Sequence, residues 1–529
     1  MIDTTEAYRA AVTGTVRRTY IRAVVNIVSP SIAYGAPTGA EQATEYSKPE
    51  QLHNLNFDSE DNYQTLELNR WLLDGSTVPL PDDGADILRQ VGYVGAALSD
   101  ADGNFADTQI ITQPFDGVEQ LQACSVYFSS RLADGVAMDF VVEVMAGDTV
   151  LHSQTFIGNR ASSVVITGFT ADAPTGMRIS ITKWTLPYRR VRVIEMLPGL
   201  HEVWGNDMIA EFGVVQQANF TNLALPYGTC TLEIDNTDRR FEPRNKAGIF
   251  KSIEERQGID AQIGVQLPDG TVEYKPIGRY YQFSGGWTTG SNDLTIKWDL
   301  VDIIGLLVDR IFIPPATLPT TLAGWAAAVV AQLGSNFNAM YEVDADHASD
   351  ALTASNVEDV TGISCGDMIK HICLATGTWA RASAKTGKLL IEPMREGGNA
   401  LTLDNMDSDP ITRANDDVGA LIFTLADGSD TRIILAGNEP ASNNSISISN
   451  PFIRTEDEAR AAAAVILQYY GGNLIETVGR GDPSSEIGDL DTVELDKTTS
   501  AYGRRQSQSF LYTDGVLQSC QSVLIEVAT

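Results

Sequence analysis

GTCTLEIDNTDRRFEPRN (228–245), IDAQIGVQLPDG (259–270) and KPIGRYYQFSGGWTTGSNDLTIKW (275–298) form the stretch around which the rest of the chain is ordered. Thr229, Thr231, Glu233 and Asp235 alternate with Cys230, Leu232 and Ile234, the period of a strand with one buried face. The run breaks at Asp235-Asn236-Thr237-Asp238, whose short side chains hydrogen-bond their own backbone and favour a turn. Ile259, Ile263, Val265 and Leu267 make a second β-prone run that stops at Pro268-Asp269-Gly270. A third begins at Tyr280 and Phe283, and Leu294, Ile296 and Trp298 alternate in a fourth. Short strands parted by turn signals predict a small barrel or sandwich. Nothing in them is catalytic.

On the N-terminal side, residues 3–12 carry weak helical periodicity and RRTYIRAVVNI (17–27) reads as a strand. A Pro/Gly/Ala-rich loop (29–45) leads to LNFDSEDNYQTLELNRWLLDGSTVPLPDD (55–83), a strand, a turn at Asp74-Gly75 and a linker. QACSVYFSS, MDFVVEVMAG, SVVITGF, MRISITKW and YRRVRVIEML follow as short β-rich runs within 92–196. Their regular spacing and intervening Gly, Asp and Asn predict a two-sheet sandwich of jelly-roll type. VWGNDMIAEFGVVQQ (203–217) returns to strand character, so residues 86–200 read as an insertion into one barrel. Pro79-Leu80-Pro81-Asp82-Asp83-Gly84 and Pro198-Gly199 mark its junctions.

Beyond Trp298 the periodicity becomes helical. LVDIIGLLVDR (300–310), LPTTLAGWAAAVVAQLG (318–334) and CGDMIKHICLATG (365–377) predict three helices, the second capped by Thr320 or Thr321 and ended by Gly334. WARASAKTGKLLIEP (379–393) reads as a hairpin, completing a small α/β domain. From residue 400 the chain is β-rich again, interrupted by a helix after Thr455 whose Glu456, Asp457 and Glu458 suit the positive end of its macrodipole. VGRGDPSSEIGDLDTVEL (478–495) opens the closing strands.

Three stretches resemble tail-hub proteins of tailed bacteriophages. LEIDNTDRRFEPRN followed by GVQLPDG is similar to the "L-x-L-D-N-x-D-x-x-F-x-P" region of their first barrel. LELNRWLLDGS before a Pro-rich stop is similar to an N-terminal segment of phage tail proteins. NPFI, a helix ending in Tyr469-Tyr470, and RGDPSSEIGD together resemble the second barrel. RRVRVIEMLPG resembles the last strand of galactose-binding-like modules, which bind sugars through loop aromatics and polar groups. That second resemblance makes His152, Trp184 and Tyr188 the candidate carbohydrate-binding residues, against core or rim packing as the plainer reading.

Composition narrows the classes. Lys and Arg number 37 against 69 Asp and Glu, a net charge of −32 that argues against a phosphate-tracking surface. Cys124, Cys230, Cys365, Cys373 and Cys520 form no CxxC pair and read as buried reduced thiols. His371 lies between two of them without ligand spacing. The polar N-terminus carries no signal peptide, and no apolar run reaches the roughly 18 residues of a membrane span. Asp102, Asp107 and Asp116 lack the spacing of a calcium loop. HExxH, GxSxG, Walker A and GxGxxG are all missing, and Arg480-Gly481-Asp482 reads as a structural turn.

The expected fold is therefore mainly β with α+β parts. Residues 1–85 contribute to a first hub-type barrel, 86–200 form the inserted jelly roll, and 201–299 complete the barrel. Residues 300–399 form the small α/β domain and 400–529 a second barrel. The hub resemblance implies a structural, non-enzymatic protein at the tail tip, without cofactor, metal or catalytic residues and assembled in the host cytoplasm. Its implied partners are two further copies of itself, a distal tail or tube protein, the tape measure, tip or fibre proteins, and a host-surface glycan. DNA would pass through the ring without specific binding. The alternatives are a carbohydrate-binding receptor protein, a distal tail ring protein and, more remotely, a two-carboxylate glycoside hydrolase. No room remains past the last motif for a lytic domain.

Overall fold

A computed structural model describes residues 2–14, 16–28, 32–39, 42–44, 47–54, 67, 91–118, 120–129, 133–220, 224–237, 239, 241, 258–289, 294–308, 310–334, 337–354, 357–415, 418–425, 428–434, 445–467, 469, 472–513 and 515–527. Among the described residues strands take 48% and helices 15%, so the β-rich reading holds. Two compact units emerge: Met1–Val24, Val203–Asp238 and Glu255–Thr529 make one, and Val25–Glu202 with Arg239–Glu254 the other.

The chain begins with α1 (Glu6–Thr13), whose Thr5 hydroxyl accepts the Tyr8 N–H at 3.0 Å and caps the first turn. Tyr8 and Val12 on its buried face pack against Val265. β1 (Thr19–Val28) follows.

The second unit holds β2 (Ala33–Tyr34), β3 (Tyr93–Leu98), β4 (Asn104–Asp116), β5 (Gln120–Leu121), β6 (Cys124–Phe128), β7 (Ala137–Ala146), β8 (Thr149–Phe156), β9 (Ser163–Ile166), β10 (Ala171–Asp172), β11 (Gly176–Trp184) and β12 (Arg190–Leu197). β2-β4-β11-β7-β8 form one antiparallel sheet and β3-β12-β6-β9 a second, while β5 and β10 pair alone. Ile179 sits centrally, opposite Ile111 on β4 and Val142 on β7. A single apolar core, with Ile179, Phe128, Phe140, Trp184 and Val193, draws on both sheets. The sandwich begins earlier in sequence than residue 86. Leu52 is part of its core, and Gln51 Oε1 accepts the backbone N–H groups of Val91 and Gly92. The LNFDSEDNYQTLELNRWLLDGSTVPLPDD strand, turn and linker lie outside the described residues except Glu67, and the Pro79–Gly84 junction lies wholly outside them.

Chain order then continues with β13 (Gly199–Trp204), β14 (Ile209–Asn219), β15 (Ala224–Asp235), β16 (Gly258–Gln266), β17 (Val272–Thr289) and β18 (Thr295–Val301). Alternation in β15 is as the sequence reads it: Cys230, Leu232 and Ile234 are buried, opposite Leu300, Trp298 and Ile296 of β18. Trp298 stacks on Trp204 with ring centres 5.5 Å apart. Each such side chain contributes roughly 1.5–3 kcal/mol on burial. The turn at Asp235 forms as expected, its Oδ1 accepting the Thr237 N–H at 2.8 Å.

The helices are α2 (Ile303–Val308), α3 (Leu322–Val330) and α4 (Cys365–Thr376). Thr321 rather than Thr320 caps α3, and Gly377 ends α4 in the left-handed conformation a Cβ would resist. They pack with β19 (Tyr341–Val343), β20 (Trp379–Ala382) and β21 (Leu389–Glu392), the last two forming the predicted hairpin.

The remaining strands are β22 (Ala400–Leu401), β23 (Ile411–Arg413), β24 (Ala420–Thr424), β25 (Asp430–Ile434), β26 (Ser445–Ser449), β27 (Leu474–Gly479), β28 (Leu490–Glu494), β29 (Ser500–Thr513), β30 (Val516–Leu517) and β31 (Cys520–Glu526), with α5 (Glu456–Leu467) between β26 and β27. Glu458 accepts from the Thr455 N–H while Thr455 Oγ1 accepts from the Glu458 N–H, a capping box at the start of α5.

The two-barrel expectation does not survive among the described residues. β13-β1-β16-β17-β18-β15-β14-β29-β31-β27-β23 run as one open path within a fourteen-stranded sheet, and no sheet closes on itself. The halves join where β14 pairs antiparallel with β29, Phe212 opposite Tyr512 and Val214 opposite Phe510. Part of 400–529 leaves this sheet altogether: β25-β24-β26 make a separate small sheet against α5.

Candidate functional site

The sandwich does not gather the three carbohydrate candidates. Trp184, at the end of β11, is 1% exposed, with Phe105 and Phe128 edge-on to its ring. Its Nε1–H donates to the Asp134 carbonyl at 2.7 Å. This corrects its assignment: Trp184 is core, and neither ring face is open to a sugar. Tyr188 lies in the β11–β12 loop, 40% exposed and at positive φ. His152 on β8 stacks on Phe169 with centres 4.3 Å apart, and burial lowers its pKa, keeping the ring neutral. His152 is opposite Val144 of β7, whereas Trp184 is opposite Ala137. Those partners are seven residues apart (144 − 137), about 23 Å of strand at roughly 3.3 Å per residue.

The acidic loop nearby is a brace. Asp100 Oδ1 accepts N–H groups from Asp102 and Asn104, which holds its carboxyl below the usual range. Among the described residues no cluster of His, Cys, Asp or Glu is placed to hold a metal.

The other unit contains what sequence reasoning missed, a polar seam where the segments meet. Gln508 of β29 donates to Gln216 Oε1 of β14 at 2.7 Å and to the Ser485 carbonyl, and Gln216 donates onward to the Ile277 carbonyl. Asp302 is fully buried at the start of α2, its two oxygens accepting from Gly228 N at 2.6 Å and Gly305 N at 2.9 Å. Those donors favour the carboxylate, but burial outweighs them and pushes its pKa up to about 7. A cavity of about 30 Å³ lies here, lined by Gln216, Asp302, Arg381 and Glu486 among others.

Two ionic devices tie segments of this unit together. Arg381 bonds Glu392 at 2.7 Å and Glu486 at 2.8 Å, while Arg395 bonds the same pair at 3.2 and 2.6 Å, closing a ring of four charges. It ties the β20–β21 hairpin to the 482–489 loop. Arg505 Nη2 meets Asp491 Oδ2 at 2.7 Å with both side chains almost fully buried. Asn399 N donates to the other Asp491 oxygen, and Arg505 Nη1 donates to Ser522 Oγ.

Arg480-Gly481-Asp482 is committed internally. Arg480 Nη1 donates to the Gly14 carbonyl, Asp482 Oδ1 accepts from Ser484 N and Oγ, and Arg17 grips the Gly481 and Arg480 carbonyls. The thiols are equally quiet: burial pushes Cys124 and Cys373 up to about 12 and Cys365 up to about 11. His371 is held neutral, its pKa lowered to about 4 by burial. These groups hold a fold rigid; they are not arranged as nucleophile, base and oxyanion donor.

No protein family matches the sequence, and no curated protein matches it. Among solved structures the chain is similar to the 43 kDa tail protein of prophage MuSo2 from Shewanella oneidensis, at 16% identity and a TM-score of 0.39, covering 61% of this chain and 94% of that one. It is similar to a tail protein from Neisseria meningitidis MC58, at 12% identity and a TM-score of 0.42, covering 62% and 93%. It is also similar to prophage tail protein gp18 from Listeria monocytogenes EGD-e, at 8% identity and a TM-score of 0.38, covering 62% and 91%.

Proposed function

We propose that the chain is a structural, non-enzymatic tail protein of a phage-type particle, acting as a hub at the tail tip that links the tube to the tip or receptor-binding apparatus. The observation that supports this most is the β14–β29 junction, which makes the segments resembling the two hub barrels one continuous sheet. A chain carrying two such β segments presents two related surfaces, so three copies around an axis offer six to a sixfold tube. The Gln216–Gln508 bridge ties β14 to β29, and the ring of four charges ties the β20–β21 hairpin to the 482–489 loop, both of which stiffen this unit. The net charge of −32 suits a channel through which DNA passes without sticking.

The sandwich is proposed as a jelly roll. Taking β3, β4, β6, β7, β8, β9, β11 and β12 as strands one to eight, its sheets read 1-8-3-6 and 2-7-4-5, the interleaved order of two Greek keys. Any glycan contact falls to Tyr188 or His152 separately. Imaging the native particle with this chain labelled is the test of the hub reading. Three copies on the tail axis are expected; six copies, or a position off the axis, would replace it with a distal ring or a receptor protein.

A further inference from the structure

A cavity of about 60 Å³ lies where α1, the 399–406 segment, the end of β27 and strands β29 and β31 meet. About 10–15 Å³ admits one water, so this space takes a group of several heavy atoms. Its charged lining is one-sided, with Arg17, Arg480 and Arg505 against Asp482. Arg505 is 2% exposed, and its Nε–H has no acceptor among the described residues. Asp491 and Asp489 answer its charge from outside the lining, which leaves Arg17 and Arg480 with Asp482 alone between them. Neither Arg17 nor Arg480 has an ion-pair partner among the described residues. They donate to backbone instead, Arg17 to the Gly481 and Arg480 carbonyls and Arg480 Nη1 to that of Gly14. Asp482 is engaged elsewhere, its Oδ1 accepting from Ser484 N and Oγ and from the Tyr8 hydroxyl. Burial lowers the pKa of Arg17, and neighbouring Arg480 adds to that; Asp482 offsets them only in part.

We propose that this cavity binds a small inorganic oxyanion, phosphate above all, as a brace between the first helix and the closing strands. Guanidinium groups match the oxygens of phosphate in geometry as well as charge. Here three of them converge from segments far apart in the chain, and the ion would supply the charge that Arg17 and Arg480 lack. Thr402 adds a neutral donor: its Oγ1 accepts from Asn405 Nδ2 at 3.0 Å and keeps its own proton to give. Thr13 is both exposed and part of the lining, which gives the ion a way in. A free ion fits better than a nucleic-acid strand. The volume suits a single oxyanion, and a chain of net charge −32 repels a polyanion while one ion pays little for approach. The site does not depend on the hub reading.

Calorimetric titration of the full chain with inorganic phosphate, at an ionic strength held constant with sodium chloride, tests the site. One ion per chain should bind. At a hundredfold excess over its Kd the ion should raise the melting midpoint of this unit by about 4 °C. Arg480→Gln should weaken binding about tenfold or more, and Arg480→Lys, which keeps the charge, should weaken it less. Because Thr13 is exposed, Thr13→Glu should leave the fold intact, and its carboxylate should answer the same cations and abolish the phosphate response. Absence of saturable binding in the parent, or parental affinity in both Arg480→Gln and Thr13→Glu, would overturn the site. Stabilisation that climbs with phosphate without saturating would mark exclusion from the surface and overturn it equally. Displacement of the bound phosphate by a single-stranded oligonucleotide would overturn the free-ion reading in favour of a strand contact.

Discussion

Asp491→Asn removes one charge from the buried Arg505–Asp491 pair while keeping the side chain's shape. The amide oxygen still accepts from Asn399 N, so the change isolates the ionic contact at 2.7 Å. Breaking a buried pair from one side leaves the other charge in a poor solvent and costs about 3–5 kcal/mol. Asp489, which also faces Arg505, remains and holds the loss toward the lower figure. The unit's segments total roughly 335 residues, giving an unfolding entropy of about 0.7 kcal/mol/K at typical values per residue. The midpoint should therefore fall by about 4–7 °C in calorimetry of the full chain, in the transition of this unit alone. Replacing both partners, Asp491→Leu with Arg505→Met, should recover most of the loss, because two apolar side chains need no compensation. An Asn variant within 1 °C of the parent, or a double variant as damaging as the two singles added, would refute the assignment of this pair as a closed, solvent-excluded unit.

Asp302 gives a pH signature. Its folded pKa of about 7 lies above the ordinary carboxyl value, so the folded chain holds the proton more tightly than the unfolded one. Its contribution is fully present below about pH 4 and is lost as pH rises through 7, roughly 4 kcal/mol in all. Urea unfolding from pH 4 to 8 should show that slope in the parent and a flatter one in Asp302→Asn. Gly481→Ala should cost roughly 1–3 kcal/mol, since φ is +61° and an added Cβ would stand 2.4 Å from the Cys520 Cβ; an unchanged melting curve would contradict it. Residues 25–202 expressed alone should be soluble and melt cooperatively, whereas 86–200, lacking Leu52 and the Gln51 bridge, should be markedly less stable.

Local chemistry was legible in the sequence wherever one residue's neighbours in the chain are also its neighbours in space. The alternation of 228–235, the Asp235 turn, the Thr321 cap and the acidic start of α5 are of that kind. Pairing between distant segments was not. β14 and β29 lie nearly 300 residues apart, and each alternates as a barrel strand would, so nothing local tells closure on oneself from joining the other half. Buried charges were hidden for a related reason. Arg381, Arg505, Asp491 and Glu486 carry no sequence signal of burial, because a charge is buried only when its partner arrives from elsewhere. Trp184 misled in the opposite direction: an aromatic near a loop resembles a sugar platform until its Nε1–H is seen to be consumed by Asp134.

The grip of Arg17 on the Arg480 and Gly481 carbonyls spans 464 residues of chain, and Ile2 reaches Ser484 in the same way. Synthesis at roughly 5–20 residues per second separates the two ends by about half a minute to a minute and a half. For that interval the first helix has no partner for its clasp, and β14 waits with an unpaired edge for β29. A chain that stopped before residue 480 would lack the partner of the Arg17 clasp and the partner strand of β14 together.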